Sequence, residues 1–104
     1  MDRTIKPDTL KTELAGKYLL DVRRIDDQAT SSEQLAGAHW HDPSKLAEWA
    51  DGLPKDQDIV LYCVRGGGVS NSVVDALQAK GLKARFIEGG FDGWKAADGE
   101  VVGK

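Results

Sequence analysis

The stretch Val60-Leu61-Tyr62-Cys63-Val64-Arg65-Gly66-Gly67-Gly68-Val69-Ser70-Asn71-Ser72 decides how this chain is read. It begins inside a short apolar, partly β-branched run, Asp58 to Cys63, the pattern of a strand covered on both faces in a parallel sheet. It ends inside Ser70 to Ala79, where Val73, Val74 and Leu77 recur at helical spacing and Gly81 supplies a stop. A buried strand passing through a glycine-rich turn into a helix is half of a βαβ unit.

Outward from this stretch the pattern repeats. Tyr18 to Val22 and Ala84 to Ile87 read as two more strands. Pro7 to Leu14, with Asp8 or Thr9 available as a cap, and Pro43 to Ala50 read as amphipathic helices. Strands alternating with helices predict an α/β fold: a mostly parallel sheet flanked by helices on both faces. No repeat, low-complexity tract or linker interrupts the 104 residues, so 1–104 reads as one domain.

Composition removes several function classes. The chain carries 14 Lys plus Arg against 17 Asp plus Glu. Its basic residues are scattered, Arg23 and Arg24 being the only adjacent pair, so the basic stripe that a duplex binder needs is missing and nucleic acid is not an expected partner. No apolar run approaches the roughly 20 residues that span a bilayer, so no membrane partner is expected either. Met1 to Pro7 lacks the apolar region of a secretory signal, which makes the cytoplasm the expected compartment.

The single cysteine, Cys63, excludes an internal disulfide and any multi-cysteine zinc site. It stands at a strand's carboxyl end, where open α/β sheets bind ligands. Three consecutive glycines, Gly66, Gly67 and Gly68, permit positive φ and let successive N–H groups turn inward as a nest for an anion. The following helix N-terminus adds partial positive charge. Such a field favours thiolate, and comparable sites bring cysteine pKa values from about 8.5 into the range of roughly 3.5–7.5. Cys63 therefore reads as an exposed nucleophile, and Val64, Arg65, Gly66, Gly67, Gly68, Val69 and Ser70 as the loop that binds its substrate. The competing reading is an inert strand-end thiol beside a tight turn. The loop is not a phosphate-binding Walker motif, because no Gly-Lys-Ser/Thr closes it.

Four segments together resemble the single-domain rhodanese-like sulfurtransferases. Leu19-Leu20-Asp21-Val22-Arg23 is similar to that family's N-terminal element, and Leu35-Ala36-Gly37-Ala38-His39 to the segment after it. Tyr62-Cys63 followed by Gly66 resembles the active loop, and Glu88-Gly89-Gly90-Phe91-Asp92-Gly93-Trp94 the C-terminal element. The resemblance covers nearly the whole chain. It implies a three-layer rhodanese-like domain in which Cys63 takes sulfane sulfur from a donor such as thiosulfate, becomes a persulfide, and hands the sulfur to cyanide, a small thiol or a protein thiol. Neither cofactor nor metal is implied. A sulfur carrier or redox sensor serving a protein partner would use the same cysteine.

One departure concerns the loop. The family usually places its serine or helix start six residues after the cysteine, whereas Ser70 stands seven after Cys63. A longer loop resembles that of dual-specificity phosphatases sharing the fold, whose Cys-x5-Arg signature would put an arginine at position 69. That residue is Val69, so phosphatase or arsenate reductase chemistry lacks its bidentate guanidinium. Arg65 is left as the one cation of the loop, expected to recruit the anionic donor. Asp21 and Arg23 read as a fold-holding ion pair, and Phe91, Trp94, Trp40 and Trp49 as packing residues. His39 and His41 flank Trp40 without further ligands in view, so no metal is expected there. Ser70 and Ser72 read as caps of the helix after the loop, with the Ser70 hydroxyl also able to face the sulfur.

Overall fold

The computed structural model describes residues 3–65 and 67–103. Five strands form one sheet: β1 (Thr4–Ile5), β2 (Lys17–Asp21), β4 (His39–Trp40), β5 (Asp58–Tyr62) and β6 (Ala84–Ile87). Their order is β1-β6-β5-β2-β4, with every neighbouring pair parallel. Two further strands, β3 (Glu33–Leu35) and β7 (Val101–Gly103), pair antiparallel as a separate ribbon. The helices are α1 (Pro7–Thr12), α2 (Ile25–Thr30), α3 (Leu46–Trp49), α4 (Gly68–Ala79) and α5 (Gly90–Ala96).

The period of two in the central strand explains why both faces are covered. Ile59 and Leu61 of β5 point into a cluster with Val73, Val74 and Leu77 of α4, against which Leu46 and Trp49 of α3 pack. Val60 and Tyr62 point the other way, toward Leu10 of α1 and Phe91 and Trp94 of α5. The mostly parallel, helix-flanked sheet expected from the sequence is thus the fold found.

Local chemistry moved several boundaries. The first helix is capped by neither Asp8 nor Thr9: its N-cap is Lys6, which offers no side-chain bond, and Pro7 sits at the first helical position. Pro43 to Ala50 is not one helix but a 3₁₀ turn (Pro43–Lys45), the short α3, and a second 3₁₀ turn (Ala50–Gly52). Asp42 starts that run by accepting the Ser44 N–H. The stop at Gly81 is present with φ +82°. Gly81 N–H reaches the Gln78 carbonyl at 3.0 Å and Leu82 N–H the Leu77 carbonyl at 3.1 Å, the two bonds of a Schellman ending.

Asp21 and Arg23 form the buried pair expected of them, with Arg23 Nη2 2.7 Å from Asp21 Oδ2. The guanidinium also donates to the Glu33 carbonyl and lies over the Phe91 ring at 4.7 Å. The end of β2 is thereby tied to β3 and α5. Trp40 and Trp49 spend their indole N–H groups on the carbonyls of Arg23 and Asp42. His39 stacks on Tyr18 and His41 on Trp49. Among the described residues no group of three or more His, Cys, Asp or Glu could hold a metal ion, and no helix is long and apolar enough to cross a membrane.

Candidate active site

Cys63 follows the last residue of β5, the middle strand, so it lies at the carboxyl edge of the sheet with β2 and β6 on either side. Two sets of contacts fix it from opposite directions. From below, the N-terminal N–H groups of α5 hold the start of the loop: Phe91 N–H donates to the Cys63 carbonyl at 2.8 Å and Asp92 N–H to the Val64 carbonyl at 3.0 Å. These donors are orphans of a helix's first turn and would otherwise need water. The turn that delivers them is Gly89-Gly90, both with positive φ, +77° and +62°. From above, the Ser70 hydroxyl donates to Cys63 Sγ at 3.0 Å.

Burial raises the cost of charging the Cys63 thiol. The Ser70 hydroxyl and the backbone N–H groups of Ser70, Gly67 and Arg65 outweigh it, and the thiol is held below its ordinary value. The thiol is not exposed, as the sequence had suggested, but 93% shielded: only 7% of the residue is accessible, at the floor of a cleft of about 360 Å³. Arg24, Asp27, Val64, Arg65, Gly67, Gly68 and Val69 line that cleft.

Each expected loop residue has a place. Val64 and Arg65 open the loop, and Gly67, Gly68 and Val69 form the opposite wall. Gly66 lies outside the described residues. Gly67 and Gly68 do not take positive φ: the helix starts early, at Gly68 rather than Ser70, and the N–H groups that reach the sulfur are those of Ser70 in its first turn and of Gly67 and Arg65 before it. Ser70 and Ser72 cap nothing: the N-cap is Gly67, without a side-chain bond, and Ser70 is buried inside the first turn facing the sulfur. Val69 packs against the core cluster behind α4. An apolar residue anchored there cannot do the work of a phosphate-binding arginine. Arg65 is 85% exposed and pairs with Asp92 at 3.5 Å.

Sequence reasoning missed Arg24 and Asp27, which bring charge to the cleft from the segment after β2. The signal was available: in a parallel sheet every strand's carboxyl end borders the same crevice, so the residues after Val22 deserved the scrutiny given to those after Tyr62.

Fold and site together define a class, the α/β proteins that offer one hydrogen-bonded cysteine at the carboxyl edge of a parallel sheet. Within it the chain belongs to the rhodanese-like family, the Rhodanese-like domain matching residues 6–97. It is 33% identical over 79 residues to the thiosulfate sulfurtransferase GlpE of Coxiella burnetii, spanning 75% of this chain and 71% of the relative. A rhodanese-related protein from Thermoplasma volcanium superposes with a TM-score of 0.86 at 26% identity, over 97% of this chain and 98% of that one. A thiosulfate sulfurtransferase from Pseudomonas aeruginosa gives 0.81 at 26% identity, over 99% of this chain and 20% of that one.

Proposed function

We propose that the protein is a sulfurtransferase that carries sulfane sulfur on Cys63, from thiosulfate or a related donor to cyanide or a biological thiol, within one rhodanese-like domain spanning 1–104 and without cofactor or metal. The observation that carries this reading is the set of donors converging on one sulfur: the Ser70 hydroxyl at 3.0 Å and the N–H groups of Ser70, Gly67 and Arg65. Similarity to a thiosulfate sulfurtransferase supports the choice of donor.

The chemistry follows from that geometry. The Cys63 thiolate attacks the outer sulfur of thiosulfate, a sulfur–sulfur bond forms to Cys63, and the donor's own sulfur–sulfur bond breaks with sulfite leaving on the electron pair. The donors that held the thiolate then face the terminal persulfide sulfur and its negative charge. In the second half the acceptor attacks that outer sulfur and Cys63 leaves as thiolate, ready for another cycle. The Cys63 thiolate formed by the loop's field needs no proton removed before it attacks the donor; cyanide attacks as the anion, and a thiol acceptor attacks as the thiolate after giving its proton to solvent. Val64, Arg65, Gly66, Gly67, Gly68, Val69 and Ser70 act as the substrate-binding loop. The cytoplasm, where thiols stay reduced, suits a lone reactive cysteine.

Intact mass after incubation with thiosulfate tests the reading. The expected result is a gain of one sulfur atom, lost on adding cyanide or a thiol and absent in Cys63→Ser. No gain from thiosulfate or other sulfane donors would reject it.

A further inference from the structure

Beside the cysteine cleft lies a second, larger depression of about 650 Å³, within the range of pockets that bind small organic molecules. The two share a wall made by Arg24, Gly68 and Val69. The larger one runs between the start of α2 and the segment from Asp42 to α3, and its apolar lining comes from Ile25, Pro43, Leu46, Val69 and Val73. Ile25 is 57% exposed, one of two large hydrophobic residues left exposed among the described residues, and α2 buries none of its own. Ile25 thus adds exposed apolar surface to a groove that shares a wall with the cleft of the reactive thiol.

Resting on the persulfide reading above, we propose that this groove is the acceptor subsite and that it seats the apolar body of a small organic thiol, whose sulfur then reaches the Cys63 persulfide over the Gly68–Val69 wall. Thiosulfate and cyanide are small and polar, and neither has a use for this groove. The thiol that does use it attacks as thiolate on the outer sulfur of the persulfide. The new sulfur–sulfur bond forms on the acceptor, the bond to Cys63 breaks, and Cys63 departs with the electron pair. Arg24 lines both cavities and is the cation of the groove's lining, beside the carboxylates of Asp26 and Asp42.

The test has two arms. In the first, protein loaded by thiosulfate, with the one-sulfur gain verified by mass, is discharged with 2-phenylethanethiol or with cyanide. The ratio of the two rates is expected to fall about fivefold in Ile25→Ser, less than the roughly tenfold minimum for a methylene in an enclosed pocket because Ile25 remains partly open, and to recover in Ile25→Leu. A ratio unmoved by Ile25→Ser overturns the proposal. In the second arm, unloaded protein is titrated with methyl 2-phenylethyl sulfide, which cannot accept sulfur. Amide resonances of Ile25, Leu46 and Val69 are expected to shift, with those of Arg3 and Glu88 on the far cleft unchanged. No shift overturns the groove whatever the loading result. Shifts in a protein that cannot be loaded overturn the acceptor role together with the persulfide reading. Discharge only by a protein thiol, with phenylethanethiol inert, also rejects the small-molecule occupant.

Discussion

Two turns, one after β5 and one after β6, lie side by side at the same edge of the sheet, and both are built from glycines. Their glycines do different work. Around the turn after β6 the space is already taken: Gly89 has φ +77°, and a Cβ on Gly93, in the α5 helix that follows, would come within 2.5 Å of the Glu88 carbonyl. Beyond the helix, a Cβ on Gly99 would enter the Trp94 indole. After β5 the reverse holds, since a Cβ on Gly67 or Gly68 would meet nothing within 4 Å. One turn is closed so that α5 can press its N–H groups onto the Cys63 and Val64 carbonyls. The other leaves open space beside the sulfur that those contacts hold in place, the route that the proposed sulfur transfer requires.

The largest break in this arrangement comes from the buried pair behind the closed turn. Asp21→Ala leaves the Arg23 guanidinium charged and unpaired over Phe91, a loss of about 3–5 kcal/mol in urea unfolding. A loss under 1 kcal/mol would show that the two turns do not depend on this anchor. Substituting the glycines sharpens the contrast directly. Gly93→Ala is expected to cost about 1–3 kcal/mol, because the clash is with backbone, and to slow persulfide loading as α5 shifts away from the loop. Gly68→Ala is expected to keep or raise stability, by up to about 1 kcal/mol, while slowing loading because the methyl group stands in the open cleft. If Gly68→Ala loads at the parent rate, the open turn is not the substrate's route.

The same contrast marks where the sequence could be read and where it could not. β5, α4 and β6 were legible because burial leaves apolar runs in the strands and a helical stripe in α4, signals that depend on the local order of residues alone. β1 and β4 have two residues each and owe their existence to the neighbours they pair with, which no local pattern records. α2 buries nothing, so it has no stripe to find. Within the site, Cys63 and its loop stood out, yet the glycine run looked like a left-handed nest. A glycine's residue type does not say whether its missing side chain serves φ, close packing or access. That choice is made by tertiary neighbours such as Glu88 and Trp94. Arg24 and Asp27 were hidden for a similar reason, since only the strand order places the end of β2 against that of β5.

Ser70 measures the electrostatic half of the open turn. Removing its hydroxyl in Ser70→Ala takes away the largest contribution lowering the Cys63 pKa and leaves burial, which raises it. The midpoint of iodoacetamide alkylation against pH is therefore expected to move up, with slower alkylation at neutral pH. The stability effect has a defined sign. A thiol depressed in the folded state contributes stability above its unfolded value of about 8.5, and that contribution is lost as pH falls through the folded value. In Ser70→Ala the contribution shrinks, on top of a hydrogen-bond loss of about 0.5–1.5 kcal/mol. An unmoved midpoint would assign the lowered pKa to the backbone donors alone.

The smallest effect separates the two arginines of the cleft. Arg65 is solvent-exposed and drawn to Asp92 at 3.5 Å, a pair whose removal changes folding by about 0–1 kcal/mol. Arg24 reaches the cleft from β2's side and has no ion pair among the described residues. If Arg65 recruits the donor dianion, Arg65→Ala raises the thiosulfate KM about two- to fivefold at low ionic strength, and the difference fades near 1 M salt, where the screening length falls to roughly 3 Å. Asp92→Ala is the opposite perturbation: it frees Arg65 while leaving intact the backbone N–H that holds Val64, so KM should fall. Should KM ignore both changes and rise only in Arg24→Ala, the donor is steered from the end of β2, and Arg65 belongs to the closed turn that it bridges through Asp92.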